Sequence, residues 1–175
     1  MEALWQQERR RLRLAGLGGA RRRPEGTRDA LTGLMSAPAF RAVAAYALGR
    51  TTRVGEASVL VCCALPIPPD ERQLEASRRL QAVARRLVQV TRGEDVLGRT
   101  GPLELSALLP GVDTDDAELV AGRLAPLEVA VGWAGVPAVP GDVHALLVGA
   151  RAEAVRSLKL GGQAPIELRD GTDAS

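Results

Sequence analysis

Arg92 and Asp95 stand three positions apart, in Arg92-Gly93-Glu94-Asp95. An arginine presents a planar fork of donors that can also stack on a ring, and an aspartate accepts, so the pair offers both kinds of group to a polar ligand. The same two residues would also make an ordinary local Arg–Asp pair at a helix end. With 22 Arg and nine Asp in 175 residues, about one such spacing arises by chance, so both readings stand. Cys62 and Cys63 are neighbours in an apolar run. A disulfide between adjacent residues is strained, and a metal centre needs more ligands than these thiols and the single histidine, His144. Two small buried thiols on a central strand are expected, which points weakly to a reducing compartment. His144 sits beside Asp142 near a helix start with no nucleophile in view. Gly16-Leu17-Gly18-Gly19 lacks the Lys-Ser or Lys-Thr and the preceding strand of a phosphate loop. No catalytic residue, metal or cofactor is expected from these groups.

The elements that would position these residues belong to one domain of ordinary size. Hydrophobic residues make up 46% of the chain and charged residues 25%, as in globular proteins. Aromatic residues are only 2% (Trp5, Phe40, Tyr46 and Trp133), too few for an aromatic RNA-binding sheet. Trp133 reads as packing on a strand. The net charge of +2 is unevenly spread, with eight Arg against three Glu in residues 1–28. That basic arm is either a solvated tail or a contact for nucleic acid, anionic lipid or an acidic partner. No segment has the apolar length of a membrane span or the core of a signal peptide, so no membrane insertion and a cytoplasmic location are expected.

Residues 1–27 read as a flexible or marginally helical arm, with a weak apolar pattern over Glu2–Leu14. Ser36 and Pro38 open a helix that Gly49 is expected to end. Ala57–Leu65 is a short apolar run suited to a strand buried on both faces, closed by Pro66, Pro68 and Pro69. Asp70, with Gln73 at the capping-box position, is expected to cap an amphipathic helix burying Leu74, Leu80, Val83, Ala84 and Leu87. Asp95–Arg99 and Leu103–Leu109 read as a hairpin about Thr100-Gly101-Pro102. Asp113 or Thr114 caps a helix to Leu124, 127–134 is a strand, and 143–158 is a helix with Leu147, Ala150, Ala154 and Leu158 inward. A last strand is expected at Pro165–Leu168, before a frayed tail over 170–175. The alternation predicts an α/β (α+β) layer fold, with helices covering a central sheet.

Several of these stretches, in order, resemble one family. Asp29-Ala30-Leu31-Thr32-Gly33-Leu34, with Phe40 six residues on, is similar to the DxLTGLxNRxxF opening of GGDEF domains, the diguanylate cyclase family. Val59–Leu65 resembles the strand that ends in DxDxFK. Arg92–Asp95 resembles the RxxD that precedes the hairpin motif, and Arg99-Thr100-Gly101-Pro102-Leu103-Glu104-Leu105 resembles RxGGDEF. Leu108-Leu109-Pro110, Val129–Gly132 and Ala154-Val155 up to Lys159 match later landmarks, so the resemblance spans residues 28–169. It implies a mostly antiparallel, nucleotide-cyclase-like sheet flanked by helices. Active members condense two GTP into cyclic di-GMP across a dimer, with carboxylates holding divalent metals.

The sequence departs from that pattern where the chemistry would sit. The metal-holding Asp aligns with Cys63, the next Asp with Leu65 and a hairpin carboxylate with Leu103, none of which offers the oxygen a hard cation needs. Pro102 replaces a glycine that would let nucleotide approach. The guanine-reading Asp aligns with Ser77, and the segment with the guanine-reading Asn is shortened around Pro66–Pro69. Glu104 alone of the hairpin carboxylates remains, and Lys159 keeps the position of a triphosphate-contacting lysine. The expectation is therefore a degenerate, catalytically inactive GGDEF-like regulatory domain in bacterial signal transduction. Its degenerate hairpin is Gly101, Pro102, Leu103, Glu104 and Leu105. In the family an RxxD at this spacing is the inhibitory cyclic di-GMP site, so Arg92 and Asp95 are the candidate ligand residues. A protein partner and a homodimer are the other expected associations. The alternatives are a pure protein-interaction module, nucleic-acid binding by the arm, or an enzyme with a rebuilt site.

Overall fold

The computed structural model describes residues 26–66, 68, 71–136 and 142–159. The expected helix over Glu2–Leu14, the Asp70 cap, the strand at Pro165–Leu168 and the 170–175 tail lie outside the described residues, as does all of the arm but Gly26 and Thr27. The described part contains four α-helices and one four-stranded antiparallel sheet.

Helix α1 (Ala37–Val54) places Phe40, Ala44, Leu48 and Thr51 on one buried stripe. Its N-cap Ser36 makes no side-chain cap; the hydroxyl instead donates to the Gly26 carbonyl. Gly49 does not end this helix. The buried stripe continues past it, and termination falls to Gly55, whose left-handed φ of 71° lets its N–H return to the Thr51 and Thr52 carbonyls. Strand β1 (Ser58–Ala64) follows, buried over nearly its whole length.

Helix α2 (Gln73–Val90) buries Ala76, Leu80, Val83, Ala84 and Leu87. Its N-cap is Arg72, whose N–H donates to the Glu75 carboxylate at 3.3 Å, so Gln73 is not the capping-box residue. Leu74, expected inward, is 62% exposed. Six residues of helix rotate it about 240° from Leu80, onto the other flank.

Strands β2 (Val96–Gly101) and β3 (Glu104–Pro110) form the expected hairpin. Helix α3 (Thr114–Leu124) is capped by Asp113, whose Oδ1 accepts the N–H groups of Asp115 and Asp116 at 3.1 and 3.2 Å. The next strand, β4 (Ala130–Val136), starts three residues later than expected. A 3₁₀ turn over Ala125–Leu127 and the left-handed Glu128 (φ 52°) come first. Helix α4 (Val143–Lys159) buries Leu146, Leu147, Ala150 and Ala154, while Leu158, expected inward, is 38% exposed in the last turn.

The sheet order is β2-β3-β1-β4. Alternation along β1 divides the core into two layers. Val59, Val61 and Cys63 pack under α2 and α3, whereas Leu60 and Cys62 pack under α1 and α4. The two thiols therefore face opposite sides of the sheet, and both are free and buried. Two glycines permit close approach. A Cβ on Gly98 would lie 2.5 Å from Phe40 Cβ, and one on Gly132 would lie 2.2 Å from the backbone nitrogen of Ala154 in α4.

Candidate functional site

The end of β1 and the β2–β3 turn come together. Cys63 pairs with Leu105 and Ala64 with Glu104, and the Leu65 N–H donates to the Leu103 carbonyl at 3.0 Å. Cys63, Leu65 and Leu105 are buried in one apolar cluster with Leu34 and Leu80, and Leu103 packs against it. The positions that the resemblance assigns to metal-holding carboxylates are thus adjacent in space, and they form hydrocarbon and thiol packing. Burial pushes the Cys63 thiol far up its titration range, with the neighbouring Cys62 and Glu104 adding to it.

Glu104 faces the other side of the sheet. Its carboxylate accepts from Arg151 Nε and Nη2 at 2.6 and 2.7 Å and from the Thr100 hydroxyl at 2.7 Å. Thr100 is in turn 2.7 Å from the Ser106 hydroxyl. Burial works to raise the Glu104 pKa, but the hydrogen bonds from Arg151 and Thr100 leave it below the ordinary value. Burial first, then the Glu104 charge, push the Cys62 thiol up to about 12. Among the described residues, no three His, Cys, Asp or Glu side chains gather where they could hold a metal ion.

The turn itself is stitched by Arg99. Its guanidinium donates to the Gly101 carbonyl at 3.2 Å and the Pro102 carbonyl at 2.6 Å, and pairs with Asp29 at 2.9 Å. Asp29 also accepts from the Thr32 N–H and hydroxyl, each at 2.8 Å, and Gly33 takes a φ of 72°. The Asp29–Leu34 stretch is thus a folded loop tied to the hairpin, and Gln81 of α2 holds it from the other side through the Leu31 carbonyl. Ser77 lies partly buried on α2, His144 is exposed with its N–H on Asp142, and Lys159 ends α4.

Arg92 and Asp95 lie at the opposite end of β2 from that turn, about 17–20 Å away along the strand. The Asp95 carboxylate braces the loop after α2 by accepting the Arg92 N–H at 2.6 Å, and the Asp95 N–H returns to the Arg92 carbonyl at 3.2 Å. Its other oxygen, Oδ1, is buried and has no hydrogen-bond partner among the described residues. Burial raises the Asp95 pKa; the Arg92 N–H opposes this and the Glu94 charge adds to it. The two residues border a small, open pocket of ≈ 100 Å³ with Val90, Leu109 and Val112 in its wall. One face of α3 completes it, with Asp116, Leu119, Val120 and Arg123 at i, i+3, i+4 and i+7. The Arg92 side chain is about half exposed, and its guanidinium stands 3.8 Å from the Asp116 carboxylate. The sequence alone did not point to Arg123 or Asp116. Their shared helix face was readable, but only the tertiary fold turns that face toward Arg92.

No family model matches the sequence, and no curated protein is similar to it in a sequence search. Solved structures are similar in fold. The diguanylate cyclase SiaD of Pseudomonas aeruginosa, solved in complex with its activator SiaC, matches with a TM-score of 0.70 and 23% identity over 91% of this chain and 66% of that one. The FimX GGDEF domain of the same organism gives 0.70 and 19%, over 78% of this chain and 96% of that one. The GGDEF domain of DgcB from Caulobacter crescentus, in complex with c-di-GMP, gives 0.66 and 20%, over 85% and 96%. The fold is GGDEF-like, as the motif order implied.

Proposed function

We propose that this chain is a non-catalytic GGDEF-like module that binds cyclic di-GMP in the pocket beside Arg92 and Asp95 and relays that state to a protein partner. The observation that carries the ligand is Asp95, whose buried Oδ1 has no donor among the described residues, at the border of a pocket that also presents Arg92 and Arg123. A buried carboxylate oxygen left unpaired costs free energy that a ligand N–H recovers. Guanine offers N–H donors on one edge and acceptors for an arginine fork on the other. Similarity in fold to a domain solved with c-di-GMP supports the same ligand class.

Two observations support the absence of turnover. Cys63, Leu65 and Leu103 fill the strand-end and hairpin positions with groups that do not bind Mg²⁺. Glu104, the remaining hairpin carboxylate, is neutralised by Arg151. Phosphoryl transfer of this type depends on positioning and charge neutralisation by metal ions, which one internally paired carboxylate does not provide.

Calorimetry with cyclic di-GMP on the whole chain and on Arg92→Ala tests the ligand. Binding by the parent and loss in the variant are expected. No heat at high micromolar ligand would leave Arg92 and Asp95 as a turn brace only. Incubation with GTP and Mg²⁺ or Mn²⁺ tests the rest, since any cyclic dinucleotide product abolished by Glu104→Ala would overturn the non-catalytic reading.

A further inference from the structure

The pocket beside Arg92 holds its own counter-charge. Two arginines (Arg92, Arg123) and two aspartates (Asp95, Asp116) border it, so these side chains sum to no net charge. A cyclic dinucleotide carries two phosphate charges and gains little long-range attraction from such a site. Arg92 and Asp116 are 3.8 Å apart, close enough for attraction but beyond hydrogen-bond distance, and both side chains are about half exposed. This contact is weak and reversible. It places a negative charge beside the Arg92 Nη2 donor.

The α3 face explains why the competitor is Asp116. Asp116 and Arg123 are seven residues apart on the same face, about 10 Å along the axis, with Leu119 and Val120 between them. The first-turn acid meets Arg92 at one end of the pocket, and the last-turn base is left at the other. Asp115 precedes Asp116 in the same turn with the same charge, but it is not part of the pocket lining.

We infer that Asp116 is a built-in competitor for Arg92, holding the guanidinium when the pocket is empty and setting the affinity of the anionic ligand by having to be displaced. This rests on the ligand reading above. An anion that engages Arg92 must push the Asp116 carboxylate toward solvent or bear its repulsion. Because Asp116 is exposed enough to swing away, the penalty is a moderate factor and not an absolute block.

The test is calorimetry with cyclic di-GMP on the whole chain, on Asp116→Asn and on Asp115→Asn. Both variants remove one negative charge from the first turn of α3, so they share any general charge effect and any small loss of helix stability. Asp116→Asn should bind about 3- to 10-fold more tightly, the scale of one unit charge about 4 Å away in a water-like medium. Asp115→Asn should stay within about twofold of the parent, consistent with its greater distance and salt screening. Equal tightening in the two variants would overturn the inference in favour of net charge alone. An unchanged or weaker Asp116→Asn would overturn it too, while leaving the ligand reading intact. If neither the parent nor either variant binds, the ligand reading falls and this inference falls with it.

Discussion

Arg151 holds Glu104 through two contacts of 2.6 and 2.7 Å, joining α4 to the hairpin across 47 residues of sequence. The geometry is the paired fork of a guanidinium on a carboxylate, with Thr100 adding a third donor. Glu104's side chain is 12% exposed and Arg151's 46%, so the pair is neither fully buried nor free in solvent.

Arg151→Ala should therefore destabilise the domain by about 1–2 kcal/mol at neutral pH, less than for a fully buried pair because half of Arg151 is wet. The Glu104 pKa is depressed in the folded state, so the stability it contributes is present above the ordinary value of 4.5 and is lost as pH falls through the folded value. Urea unfolding of parent and variant at pH 7 and at acid pH checks both points. The gap between them should shrink on acidification, and a constant gap would contradict the pairing.

Cys62 and Cys63 should not react in the native protein. Both are fully buried, and burial raises both thiols, Cys62 to about 12. A chromogenic disulfide reagent at pH 8 should titrate neither thiol in buffer and both in guanidinium. Rapid reaction of either one in buffer would contradict its place in β1.

Gly132→Ala should be among the most damaging small substitutions in the chain. Its Cβ would meet the Ala150 carbonyl oxygen at 2.4 Å as well as the Ala154 nitrogen, and these backbone atoms move only with α4 as a whole. A loss of about 2–4 kcal/mol is expected. Gly122→Ala, in α3 with nothing within 4 Å, should instead gain about 0.5–1 kcal/mol by helix propensity. Thermal melts of the two variants should move in opposite directions.

Asp95→Asn separates bracing from binding. The Asp95 pKa is raised in the folded state, so its favourable contribution belongs to low pH and is lost as pH rises through the folded value; at neutral pH the ionised group costs stability. An asparagine carbonyl can still accept the Arg92 N–H, so neutral-pH stability should be unchanged or higher by less than about 1 kcal/mol. Cyclic di-GMP binding should nonetheless fall at least tenfold, as expected when a charge-assisted bond to guanine is lost. A folded variant with undiminished binding would remove Asp95 from the site.

Local pattern carried much of this fold. The run Ala57–Leu65 reads as a doubly buried strand, and β1 (Ser58–Ala64) is that strand. Leu80, Val83, Ala84 and Leu87 read as an inward stripe and are buried. The hairpin about Gly101-Pro102 read correctly because its turn residues are local. Other features depended on partners distant in sequence. Gly49 reads as a stop, but the helix runs on to Gly55, because the stripe ahead of Gly49 still has core to meet at Thr51. The start of β4 falls three residues later than the apolar pattern indicates: Pro126 signals a break, but not that the 3₁₀ turn and the left-handed Glu128 carry it to Ala130. Arg92 and Asp95 were visible as a pair. Asp116, Arg123 and the grip of Arg151 on Glu104 were not, since each contact joins separate elements.

Gly132 has a reach beyond its own contact. The three backbone atoms of α4 that crowd it belong to Ala150, Glu153 and Ala154, and Arg151 lies within that same turn of helix. A single hydrogen where other residues carry a methyl thus acts as the spacer that fixes how far the guanidinium stands from the hairpin. Thicken that spacer and the helix rides up, carrying its cation out of range and leaving a stranded anion on the sheet.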